Sequence, residues 1–490
     1  MAVRAHVRAR VRARPAKPSL RSLLPHLPLA VLVVAYAVRF SLLSVQVHDG
    51  FGTPPYDMAL FDQGIWLLSR FHAPFVTVMG RDLFGDHTAF ILVLAVPLYW
   101  VYPHAQTLLV LQSCLLAAAA VPIYLLGRRL LRSTVLATAL AAAYLLNPAL
   151  QDGNLEQFHP ESFLVLALAV GIYAAVEWRP KLFLAAAVAA LLCKQDTALL
   201  VIPLALWVAW RRNRRLGLIL AGSAALYMAI AFEVIIRAFL GTASFNMTRI
   251  PFGGMLGFVE AIVTKPRQVW DYATSRGRPF YLWQMGAAVG WVFVVAPEIA
   301  AVGVLTFLEN ELADFGYMHH INYHYSMPLV PVLLAGTVYA LSRLRTAARR
   351  RAATGLVTAC AFAACVVWGL APFSEHSYPH WNPSSPKVHE IDAVLRELPP
   401  HAVVSAWYPI VSHIDHRTRV YMWPTPFAAH YWGLYRHEGE RLPFAGDVQY
   451  LVLPSPLTGT DASVFSGIAS RFSPVDEGGG VTLYRRIAPG

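Results

Sequence analysis

Of the chain's 490 residues, 57% are apolar and only 14% are charged, well short of the quarter or so that soluble domains carry, which excludes an ordinary water-soluble globule. The net charge of +12 does not mark a nucleic-acid binder, because the basic residues gather at 4–21, 128–132, 179–181, 211–215 and 343–351, each beside an apolar run, as cytoplasmic loops do. Cys114, Cys193, Cys360 and Cys365 all fall within apolar segments, which argues against a disulfide framework.

Taken in chain order, the basic clusters count membrane crossings. Residues 1–22 are expected to form a basic cytoplasmic tail, retained rather than cleaved, and a first helix over about 23–45 leaves the cytoplasm. The apolar stretch 88–102 is short, holds Pro97 and ends in aromatics, so it reads as a re-entrant or interfacial segment. Further helices are expected near 106–127, 133–150, 161–178, 182–193, a return to 211, 216–240, 279–295, 297–308, 326–341 and 352–371. That makes about eleven crossings, with the C-terminus outside. The membrane part spans 23–373 and the Pro-, Ser- and His-rich 374–386 is a linker. Residues 387–490 read as a small extracytoplasmic α/β domain, with a helix at 388–398 and strands at 403–406, 419–422, 449–453 and 481–485. The fold class is therefore mainly α and polytopic, with a small C-terminal α/β domain. Arg far outnumbers Lys, a bias that points to a high-GC bacterial genome.

This topology puts most unusual polar residues on the outer side. The first loop, 48–71, carries Asp57 and Asp62 on an amphipathic helix marked by Met58, Phe61, Ile65 and Leu68, and Asp86-His87 follow it. Asp49 and Asp57 read first as solvating or capping acids. Asp62, inside an apolar and aromatic stretch, is the leading candidate for a general base or a metal ligand, since such burial is expensive without a role. The second loop, 147–163, crowds Glu156, His159 and Glu161 at the mouth of a helix, although Pro160-Glu161 is also an ordinary helix start. Lys194 and Asp196 flank Gln195 between two short apolar stretches, as an ion pair or as a phosphate contact. The last loop, 309–328, holds Glu309, Glu311, Asp314, His319, His320, His324 and three tyrosines. His324 and Tyr325 lead straight into the next helix and are expected, with His320, to face substrate.

The strings FDQGIW, GDHTAFILVLAVPLY, YLLNPALQDGNLEQFHPESF, KQD at 194–196 and HYSMPLVPVLLAG occur in this order. With the later VVSAWYPIVSHIDHRTRVYMWP, they resemble the bacterial predicted membrane proteins of domain-of-unknown-function family 2079. FHPE at 158–161 is the most specific piece, and Gln195 stands where the family pattern expects Glu. That family is similar in architecture to the GT-C membrane glycosyltransferases. The resemblance implies transfer of a sugar from a polyprenyl-phosphate donor to a cell-envelope glycan or lipid acceptor at the outer membrane face. Asp62, or second Asp57, would be the base, and Lys194 with His159 or His324 would stabilise the departing phosphate. Asp86, His87, Glu156, Glu161, Asp196, His320 and Tyr325 would bind substrate. No cofactor is required, and a divalent metal is compatible with the acids present. The same buried ionisable groups could instead line a transporter or flippase pathway for a lipid or an ion-coupled solute. Against that, the chain shows no internal repeat.

Overall fold

A computed structural model describes residues 24–244, 249–375, 382–433 and 437–487; the basic tail expected at 1–22 lies outside the described residues. The chain is mostly helical. The first helix, α1, is Leu27–Asp49, and α2, Pro55–Ser69, lies in the first polar segment. Its start follows from Pro54-Pro55, because a proline fits the first helical turn without losing a hydrogen bond. A two-residue hairpin follows, β1 (Phe75–Val76) against β2 (Arg81–Asp82). Residues 90–101 form short helical turns over 90–95 and 96–101, in the place of the expected re-entrant segment.

Next come α3 (Ala105–Ala118) and α4 (Ala120–Leu131), together one long apolar helix. Then α5 (Thr134–Leu145), capped by Ser133, bends by 44° into α6 (Pro148–Glu156). This corrects the expectation of a loop at 147–163. Asn147 accepts a hydrogen bond from the Ala149 amide and Pro148 takes the first helical position, so the chain re-enters a helix at once. Two antiparallel pairs follow: α7 (Glu161–Val176) with α8 (Pro180–Leu191), and α9 (Ala198–Arg211) with α10 (Arg214–Ile230), the last capped by Asn213. The helices expected at 279–295 and 297–308 are broken. A helix covers only Arg278–Ala287, and Gly290 and Trp291 then take left-handed backbone (φ of 62° and 55°). Helicity resumes properly in α11, Val304–Leu312. The bundle closes with α12 (Leu329–Arg343) and α13 (Ala347–Trp368).

Among the described residues five helices are long and apolar enough to cross a membrane, or six if the bent α5–α6 pair is one span. Shorter apolar helices occur at 90–101, 161–176 and 180–191. The expected count of eleven combined apolar segments, several of them short, with basic clusters, and the helix lengths do not confirm it. The interior helices pack on one another: Leu140, Val165, Ile172, Val201, Val332 and Val338 share one buried core.

The C-terminal part opens with α14, Pro386–Arg396, capped by Ser385. Strands β3 (Val404–Ala406), β4 (Val420–Met422) and β5 (Tyr450–Pro454) are parallel, and the helix α15 (Gly459–Ser466) leads to β6 (Phe472–Gly478) and β7 (Val481–Arg486). The sheet order is β4-β3-β5-β7-β6, with Val404 opposite both Val420 and Tyr450, and β6–β7 an antiparallel hairpin turning at Gly479-Gly480. The sheet and the first polar segment share one core. Met58 and Ile65 of α2 and Val76 of β1 are buried with Val404, Val420, Val452 and Leu483. Each fully buried side chain of this size stabilises the seam by roughly 1.5–3 kcal/mol.

Candidate functional site

The polar residues singled out in the sequence converge at one end of the bundle. The loop between α6 and α7 is held by Gln112 of α3. Its amide nitrogen donates to the Gln157 carbonyl at 2.6 Å, and its amide oxygen accepts from the His159 amide at 2.8 Å. This fixes Glu156, His159 and Glu161 together. His159 then stacks on His324, with ring centroids 3.6 Å apart. The approach is made possible by Gly153, where a Cβ would sit 2.5 Å from Met327 Cγ.

Each ring is tied to an acid. His324 donates from its backbone amide to Glu156 Oε2 at 2.7 Å, and its Nδ1 lies 3.1 Å from the same oxygen. Its Nε2 lies 3.8 Å from Glu161, which forms a buried ion pair with Lys194. Lys194 also lies over the Tyr325 ring, 5.9 Å from its centroid. On the other side, His159 Nε2 lies 3.5 Å from Asp57 Oδ2, which accepts from Gln157 at 2.8 Å. Burial opposes ionisation of Asp57, but the His159 hydrogen bond and charge outweigh it and hold the carboxyl below its usual range. Burial likewise works against charge on His159, and Asp57 and Glu156 outweigh it to raise the imidazole. The Asp57 side chain remains about a third exposed (34%), so the carboxylate still meets the surface.

A cavity of about 40 Å3, room for a few waters or the oxygens of one phosphate, lies beside this cluster. Glu161, Lys194, Asp196, Glu309, Asn310 and Tyr325 line it. Arg249 adds a second cation, 5.8 Å from the Tyr325 ring centroid. One ligand atom each from Glu156, His159 and His324 lie within 4.8 Å of one another, a donor set that suits a divalent metal.

Asp86 and His87 form the adjoining wall. Burial opposes ionisation of Asp86, but Arg81, bonded at 3.0 and 2.5 Å, holds it well below the usual carboxylate range. Burial and the nearby Lys194 push His87 down to about 4. Gln195 ties this wall to the Lys194 turn through His87 Nδ1 (2.9 Å) and the Thr88 amide (3.2 Å). Two sequence candidates stand apart. His320 is exposed and pairs with Asn322 at 3.1 Å. Asp62 does not join the cluster: it accepts from the Tyr99 hydroxyl at 2.5 Å and lies 2.8 Å from His416 Nε2 of the C-terminal part. Sequence reasoning passed over His416, Asp415, Gln112 and Arg249. The Asp-His pair inside an otherwise apolar strand-and-turn stretch was the one available signal.

In three dimensions the chain is similar to ArnT from Cupriavidus metallidurans in the apo state, with a TM-score of 0.51 at 11% identity over 94% of this chain and 98% of that one. ArnT from the same organism bound to undecaprenyl phosphate aligns over the same shares at 12% identity and a TM-score of 0.48. No curated protein matches the chain in sequence. The family model described as "Predicted membrane protein (DUF2079)" matches residues 47–441, and the chain belongs to that family.

Proposed function

We propose that the protein is a GT-C-type glycosyltransferase of the bacterial plasma membrane. It would take a sugar from a polyprenyl-phosphate donor and pass it to a cell-envelope glycan or lipid at the outer face, where the C-terminal part also lies. The observation that carries this reading is the convergence of a partly exposed Asp57 with His159, His324, Glu161 and Lys194 at one end of the bundle. The fold likeness to ArnT, a GT-C glycosyltransferase, supports the architecture.

In this reading Asp57 takes the proton from an acceptor hydroxyl as its oxygen attacks the anomeric carbon. The bond from that carbon to the phosphate oxygen breaks, and the lipid phosphate leaves with the electron pair. Lys194 and Arg249 stabilise the charge that gathers on it. An apolar groove of about 230 Å3, lined by Leu282, Met285, Phe293, Phe307, Leu329 and Val332, shares α11 and the start of α12 with the polar cavity. It suits a prenyl chain. A larger groove of about 710 Å3 between the β1–β2 hairpin and the C-terminal sheet, with His72, Arg81, Arg419, Tyr421 and Tyr431 on its walls, suits an acceptor glycan.

The purified protein in lipid, given radiolabelled polyprenyl-phosphate sugars and envelope lipids or glycans, should move label to the acceptor and release polyprenyl phosphate. Failure with every donor, together with uptake or lipid flipping by the same vesicles, would replace the transferase with a transporter.

A further inference from the structure

Asp62 lies at the seam between α2 and the turn before β4, where the C-terminal part brings a second acid against it. One oxygen each of Asp62 and Asp415 and one ring nitrogen of His416 lie within 4.8 Å of one another. The two acids are 1% and 2% exposed. Two carboxylates enclosed at this distance cannot both stay ionised unless a cation joins them. His416 answers for Asp62 alone, at 2.8 Å. Asp415 Oδ2 is enclosed and, among the described residues, has no hydrogen-bond partner.

The surroundings repeat this pattern. His48 and His413 stack beside the acids with ring centroids 4.3 Å apart, and His48 Nδ1 and His413 Nε2 are also buried without a hydrogen-bond partner among the described residues. Meanwhile the prospective ligands are held in place by groups behind them. The Tyr99 hydroxyl donates to Asp62, and Trp66 stacks on the His416 ring at 5.7 Å with an interplanar angle of 16°. Such supporting contacts orient metal ligands.

We propose that Asp62, Asp415 and His416 form a divalent metal site that fastens the C-terminal sheet to α2. Two carboxylate oxygens and one imidazole nitrogen suit Zn2+ or Mn2+, whereas Ca2+ and Mg2+ prefer oxygen ligands throughout. In the metal-bound site both carboxylates ligate through oxygen and His416 through its Nε2 lone pair, with its proton on Nδ1. The site is separate from the Lys194 cluster, and its existence does not depend on the transferase reading.

The test uses the full chain, purified without metal-affinity resin, stripped with a chelator and then exposed to Zn2+ or Mn2+. Bound metal is counted by mass spectrometry and stability is followed by thermal unfolding. The Glu156→Gln chain, in which the other donor set is broken, should hold one ion and melt at higher temperature with it. Asp415→Asn and His416→Gln on that same Glu156→Gln background should hold none and show no metal-dependent rise. A Glu156→Gln chain that binds neither ion, or that keeps its metal when Asp415→Asn is added, overturns the proposal. If the seam variants do not fold, Co2+-loaded Glu156→Gln decides: visible d–d absorption without a thiolate charge-transfer band supports the nitrogen and oxygen ligands, and its absence, or a thiolate band, overturns them.

Discussion

His159 and His324, separated by a whole succession of helices in the chain, stack with centroids 3.6 Å apart, and each leans on a different acid. Two imidazoles this close repel when both are charged, and a proton favours His159, raised by Asp57 and Glu156, over His324, which burial and His159 lower.

The first prediction concerns pH. The folded-state pKa of His159 is raised above its ordinary value. Its contribution to stability is therefore complete below about pH 6.5 and is lost as pH climbs through the raised value. The gap in melting temperature between wild type and His159→Gln should narrow from about pH 6 to about pH 9. A gap that widens over this range would mean that His159 is buried neutral.

Lys194 and Glu161 each expose only 7% of their side chains. Removing one partner of a buried pair strands the other charge, at a cost of about 3–5 kcal/mol. Lys194→Met should therefore unfold well below wild type, and Lys194→Met with Glu161→Leu should recover much of the loss. Equal melting of the single and double variants would show that the pair is not coupled.

At the seam, Thr77 donates its hydroxyl proton to the Val420 carbonyl at 2.6 Å and accepts from the Val420 amide at 3.0 Å. Gln63 donates to the Arg417 carbonyl at 3.0 Å. Thr77→Val keeps the shape and leaves β4 groups unsatisfied, costing about 1–3 kcal/mol. Hydrogen exchange should rise in β4 while α7 stays protected. Unchanged exchange in β4 would show that apolar burial alone holds the seam.

The sequence showed where polar residues interrupt apolar ones, and that was enough to pick out FHPE, Lys194 and His324. Local spacing carries such information because an acid or a base beside a membrane helix stands out against its neighbours. Pairings over long sequence distances were not legible. Nothing near Asp62 reveals that its partner is His416, and this contact takes Asp62 out of the cluster for which it was the leading candidate base. Asp57, which reads as a helix-start acid, proves to be the one beside His159. The strands of the C-terminal part followed from their apolar runs, whereas β6 was missed because Pro474, Asp476 and Glu477 suit only an edge strand, with a bulge between Pro474 and Asp476. Counting crossings from basic clusters failed over 279–308, where Gly290 and Trp291 break the helix.

The central claim, that Asp57 is the base of a lipid-linked sugar transfer, is tested most directly by turnover in reconstituted protein. Wild type, Asp57→Asn and His320→Ala would be compared with the same radiolabelled polyprenyl-phosphate sugar and acceptor. Turnover is expected in wild type and in His320→Ala, with a loss of about 100-fold or more in a correctly folded Asp57→Asn. Full turnover in Asp57→Asn, with loss instead in Asp62→Asn, would contradict the account and move the base to the seam.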